Sequence, residues 1–145
     1  EADRLDAYLQ KLEGSIEISL KVSYVEEAIL GEIAERHPEL TAGGGRRGGY
    51  QSRIDMGRRI AQAIQAYREH DARWLINALA PAVREVRLGK LQGDLMVVNA
   101  SLLVASEKLK AFDRVLEGIH QQMGARMVFD CVGPLPPYSF VELRL

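Results

Sequence analysis

Four strand-like segments and two long helical regions, in the order strand, helix, strand, strand, helix, strand, predict an α+β sandwich for this chain of 145 residues. Three observations carry that order. From Ser15 to Tyr24 the side chains alternate without a fault: Ile16, Ile18, Leu20, Val22 and Tyr24 point one way, and Ser15, Glu17, Ser19, Lys21 and Ser23 the other. Between Leu109 and Met123 the apolar positions Leu109, Phe112, Leu116, Ile119 and Met123 recur at helical spacing. Between the two helical regions, Leu91-Gln92-Gly93-Asp94 supplies the turn of a hairpin made from Val83–Leu88 and Leu95–Val104. Right-handed crossovers then put both helices on one face and the first and third strands in the middle, the β-α-β-β-α-β arrangement of a ferredoxin-like antiparallel sheet.

Taken in order, Leu5, Tyr8, Leu9 and Leu12 form the stripe of a short amphipathic helix over residues 1–13, ended by Gly14. So short a helix is marginal alone, so its stripe must pack on this chain or on a preceding domain. The start at Glu1, inside a helical pattern, suggests a fragment or a trimmed product. After the first strand, Val25, Ile29, Leu30 and Ile33 share one face of a helix that Pro38 helps to end, with Glu26, Glu27, Glu32 and Glu35 directed outward. Residues 41–49 hold five glycines and the pair Arg46 and Arg47, a loop without regular structure. It lacks the lysine of a phosphate-binding loop.

Ile54, Gly57, Ile60, Ile64, Tyr67, Trp74, Leu75 and Leu79 continue at helical spacing. One helix from Arg53 to Leu79 would run about 40 Å, longer than a small domain is wide, so a break is expected near His70 and Asp71. Pro81 closes this region, and Ser106 stands where an N-cap for the next helix would. Met127, Phe129 and Cys131 alternate as the last strand, with Cys131 reading as a small buried hydrophobe.

The segment from Gly133 to Val141 contains Pro134, Pro136 and Pro137, which remove three backbone donors and fix φ. It reads as stiff and extended. Tyr138 and Phe140 then either pin the chain back onto its own body or present a preordered aromatic surface to a partner.

Nineteen basic and twenty acidic side chains leave a net charge of −1, which provides no global field for nucleic acid or an anionic membrane. No run reaches the ~20 apolar residues of a membrane-crossing helix. The single cysteine excludes an intrachain disulfide and fits a reducing cytoplasm. His37, His70 and His120 have no His or Cys at ligand spacing, so neither a metal nor a cofactor is expected. No nucleophile elbow occurs, and no carboxylate pair is forced together for acid–base work; the residues name no catalytic group. A rival reading is a nucleic-acid or anion-binding ferredoxin-like domain using Arg46, Arg47, Arg53, Arg58 and Arg59.

Gly14 to Val22, the run Tyr50 to Gly57 into a helix, Leu95 to Val104, and above all Gly133-Pro-Leu-Pro-Pro-Tyr-Ser-Phe-Val141 resemble the gas vesicle protein F/L family. The resemblance covers essentially the whole chain as the C-terminal half of a two-domain member. It implies that residues 1–13 link a missing N-terminal domain to a ferredoxin-like C-terminal domain at 14–145. It also implies a cytoplasmic accessory protein of gas vesicles, without catalysis. Such a protein would partner the hydrophobic shell subunit and other accessory proteins, as an assembly chaperone or a minor component. Pro134, Pro136, Pro137, Tyr138 and Phe140, with Glu17 and Lys21 on the open sheet face, are the candidate partner-binding residues.

Overall fold

The computed structural model describes residues 2–41 and 49–141. Its elements are α1 (Ala2–Glu13), β1 (Ser15–Tyr24), α2 (Glu26–Arg36), the single turn α3 (Pro38–Thr41), α4 (Tyr50–Leu79), β2 (Glu85–Leu88), β3 (Met96–Ala105), α5 (Leu109–Met123) and β4 (Met127–Leu135). Short 3-10 turns stand at Ala80–Ala82, Ser106–Lys108 and Tyr138–Phe140. The strands form one sheet in the order β2-β3-β1-β4. Every neighbouring pair is antiparallel, which is the ferredoxin-like order with β1 and β3 central.

The alternation of β1 decides which face is core. Ile18, Leu20, Val22 and Tyr24 are all buried, as are Val98, Ala100, Leu102 and Val104 on β3. Onto this face pack Ile29 and Ile33 of α2, Ile64, Leu75 and Leu79 of α4, and Phe112 and Ile119 of α5. Completely burying a side chain such as Phe112 contributes about 1.5–3 kcal/mol, so the α5 stripe by itself anchors the second crossover.

Several expectations fail for identifiable reasons. Helix α4 runs unbroken through His70 and Asp71 for 30 residues. Its buried positions all lie from Ile64 onward, so its early turns need no core to cover them, and Asp71 is satisfied where it stands. Leu30 is exposed, whereas Glu32 turns inward to an arginine. Ser106 makes no side-chain cap, because a 3-10 turn separates it from α5. Cys131 is exposed on β4, an edge strand with no neighbouring strand on its outer side. The Gly-rich loop reading falls on residues 42–48, which lie outside the described residues.

Beneath the helices lies a polar network that joins four elements. The Tyr24 hydroxyl donates to Asp71 Oδ2 at 2.5 Å. Arg126, between α5 and β4, donates to both oxygens of Glu32 at 2.9 and 3.3 Å and to Asp71 Oδ2 at 3.2 Å. Its guanidinium also lies over the Tyr24 ring. Burial pushes the Tyr24 hydroxyl above the usual tyrosine range, and the hydrogen bond to Asp71 and the charge of that carboxylate push it further.

Two expectations for stability result. Arg126→Ala strands two carboxylates and costs on the order of 2–3 kcal/mol, below the ~3–5 of a fully buried pair because the guanidinium is partly exposed. Tyr24→Phe removes a hydrogen bond to a charge, about 1.5–3 kcal/mol. Because the folded-state value of Tyr24 is raised, its contribution is full below the unfolded value of about 10 and is lost as pH rises beyond it. Urea midpoints of wild type and Tyr24→Phe should therefore differ most near neutral pH and converge above about pH 10.

Candidate interaction surface

The second face of the sheet is built from the odd positions of β1. Register places Glu17 beside Leu103 of β3 and Leu135 of β4, Ser19 beside Ser101 and Val132, and Lys21 beside Asn99 and Asp130. Alternation leaves this face for water or a polar partner, yet Ser15 and Glu17 are buried. The cover comes from the two ends of the chain. Leu12 of α1, Leu103 and Phe140 form a small apolar cluster of their own, with Phe140 wholly inaccessible.

Gly133 begins the return. Its φ of +145° suits glycine, and a Cβ there would meet the Glu17 carbonyl oxygen at 2.8 Å and Ile18 Cδ1 at 2.9 Å. The register against β1 shifts between Glu17 and Ser19, and the strand continues through Pro134 to Leu135. The cis peptide Gly133–Pro134 lies within this bulge. The chain then turns at Tyr138–Phe140.

Ser139 is held from three directions. Its backbone N–H donates to Glu17 Oε1 at 2.8 Å and its hydroxyl to Glu17 Oε2 at 2.9 Å. Its carbonyl accepts from Arg87 of β2 at 2.8 Å. The same guanidinium lies 5.0 Å from the centre of the Phe140 ring. A carboxylate with both oxygens used by one residue, beside an arginine over the next, makes a clamp.

The structure thus divides the sequence-derived candidates. Glu17 and Phe140 are brought together, in the fold's own service. Pro134, Pro136, Tyr138 and Lys21 are exposed and Pro137 is half-buried. Tyr138 is 76% exposed, and Val128 (57%), Val132 (50%) and Leu135 (38%) lead up to it along β4, with Asp130 between the two valines. Sequence reasoning missed Ser139, Arg87, Leu12 and Leu103 as the tail's partners. A buried carboxylate on an alternating polar face has no distinguishing mark in sequence.

Other chemistry does not gather. Among the described residues no three His, Cys, Asp or Glu side chains come together as a metal site requires. Partial burial, then Asp113 and Asp130, push the Cys131 thiol up, away from the reactive thiolate. Arg53, Arg58 and Arg59 are exposed on α4. At about 3.6 residues per turn, however, neither Arg58 nor Arg59 lines up with Arg53. Arg46 and Arg47 lie outside the described residues. No helix among the described residues is long and apolar enough to cross a membrane.

These features define a ferredoxin-like module with a strapped-down tail and exposed apolar side chains along one margin of its sheet. The chain matches the family model described as gas vesicle synthesis protein GvpL/GvpF over residues 1–142, and it belongs to that family. It is 33% identical to gas vesicle protein F of Streptomyces sp. (strain CB03234), over 97% of this chain and 61% of that protein. To gas vesicle protein F of Dolichospermum flosaquae it is 26% identical, over 97% of this chain and 59% of the relative. The chain therefore spans about three-fifths of the length of these relatives. The crystal structure of GvpF from Anabaena sp. PCC7120 superposes with a TM-score of 0.81 at 22% identity, covering 99% of this chain and 61% of that one. GvpF from Microcystis aeruginosa gives 0.72 at 25% identity, covering 98% and 60%. The ferredoxin-like architecture is shared with both, and the chain is a gas vesicle protein by family.

The clamp has a local signature. Glu17→Ala should free the tail without unfolding the sheet, raising amide exchange at Tyr138–Val141 roughly tenfold or more, with Ser139→Ala giving a smaller rise. Phe140→Ala empties a closed slot and should instead lower global stability by about 3 kcal/mol or more, read from the urea midpoint.

Proposed function

We propose that this chain assists gas vesicle assembly by covering apolar surface on the hydrophobic shell subunit, as a chaperone-like accessory or a minor component of the vesicle. The observation that carries the reading is the set of exposed apolar side chains Val128, Val132, Leu135 and Tyr138 along β4 and the turn after it, with Asp130 between the two valines and Ser19 and Lys21 beside them. Exposed apolar side chains gathered along one margin mark a protein-binding surface more than scattered ones do. Tyr138 suits that role, since it offers a large contact area with few rotatable bonds. Phe140, clamped below, holds it in place. The stiffness given by Pro134, Pro136 and Pro137 lowers the entropy lost when a partner docks.

In this reading other gas vesicle accessory proteins are further partners, the site of action is the cytoplasm and the vesicle surface, and nothing in the mechanism requires catalysis. Residues 1–13 join the sandwich at 14–145 to a preceding domain, consistent with relatives that are longer than this chain.

Co-expression with a shell subunit tests it. The wild-type chain should keep the subunit in the soluble fraction and co-purify with it. Tyr138→Ala combined with Val132→Asp should cut the recovered complex several-fold while leaving the urea midpoint nearly unchanged, because both side chains are exposed. An unaltered complex would reject this surface, and no complex with wild type would reject the function.

A further inference from the structure

β4 forms one margin of the sheet, and among the described residues no backbone hydrogen bond from outside the sheet reaches residues 127–135. Proteins usually protect such a margin with lysines, prolines, a very short strand or a covering loop. The opposite margin, β2, is only four residues long. β4 has nine, and its Pro134 and register shift lie at the far end. From Met127 to Val132 there is no proline and a single charge, Asp130. The side chains on the open face there are Val128, Asp130 and Val132, opposite Ser23, Lys21 and Ser19 of β1.

We infer that an extended segment of a partner protein adds to the outer margin of β4 as a fifth strand, with apolar, basic and apolar residues at alternate positions facing Val128, Asp130 and Val132. The unpaired backbone groups set the first requirement, a strand, because only an extended chain satisfies them in series. The side chains set the second. The two valines reward apolar neighbours directly across, and the carboxylate between them rewards a lysine or arginine. A second copy of this chain meets the first requirement and fails the second. Antiparallel pairing that sets Val128 against Val132 of the other copy also sets Asp130 against Asp130, like charges face to face. This docking mode does not depend on the partner being the shell subunit.

The probe is a terminally blocked peptide with valine, lysine and valine at alternate positions and threonines between, titrated against the whole chain and followed by backbone amide NMR. Shift changes and slowed exchange should centre on Met127–Val132, and a peptide with a central proline should produce neither. Asp130→Lys should weaken the valine–lysine–valine peptide about fivefold, and exchanging its lysine for glutamate should restore binding to that variant. Asp130 is exposed, so the substitution leaves the fold intact; Val128→Lys, also exposed, should weaken both peptides. The inference is overturned by no response at millimolar peptide, by shifts centred on the groove lined by Ile76, Leu88 and Leu91, or by binding indifferent to the charge exchange. It is equally overturned if the chain dimerises through β4 and excludes the peptide.

Discussion

One strand is held from both of its faces by carboxylates, and the rest of the molecule hangs on that arrangement. At the C-terminal end of β1, Tyr24 reaches under the helical layer to Asp71, and near its other end Glu17 reaches the opposite way to Ser139. A carboxylate taken out of water is tolerable only when its oxygens are occupied, so each site demands a definite partner in a definite place. Apolar packing alone would let α4 slide along the sheet or let the tail lie anywhere over its open face. The two carboxylates remove that freedom, one fixing α4 through Asp71 and the other fixing the tail through Glu17. Arg126 extends the first contact to α2 through Glu32, and Arg87 extends the second to β2 through the Ser139 carbonyl.

What sequence could and could not say follows from the same distinction. Apolar burial has a period, and the periods of Ser15–Tyr24 and Leu109–Met123 were sufficient for strand order, helix placement and the layer they share. Polar satisfaction has none. Asp71 lies seven residues after Ile64 and four before Leu75, a carboxylate inside an apolar stripe, and that was its only mark. Sequence marks it as a place for the helix to break; in the structure it is where the helix is held. Glu17 looked like every other polar residue of its alternating set. Its burial depends on Phe140, 123 positions away, returning across Leu103 with Leu12 alongside, and no local pattern reports a contact at that separation.

The proline-rich end was legible in character but not in geometry. Restricted φ values and missing donors correctly excluded a helix or a central strand there. They could not show that an edge strand would absorb Pro134 by shifting register at Gly133, nor that the two aromatic residues would part company. Alternate positions in a tight turn face different ways, so of Tyr138 and Phe140 one must be surrendered to the interior if the other is to be displayed. The tail is thus pinned to its own body through Phe140, while Tyr138 stays exposed.

That division bears on the proposed binding surface. A free tail carrying Tyr138 would lose most of its conformational freedom on docking, at about 1–2 kcal/mol per residue fixed. Here the ordering is done during folding, through Phe140 in its slot and Ser139 between Glu17 and Arg87, before any partner arrives. In the proposed reading, the apolar area exposed along β4 then contributes to association with little of it offset by ordering. The polar contacts of Ser139 with Glu17 and Arg87 hold the segment that carries Tyr138, so its exposed side chain is displayed from a fixed backbone.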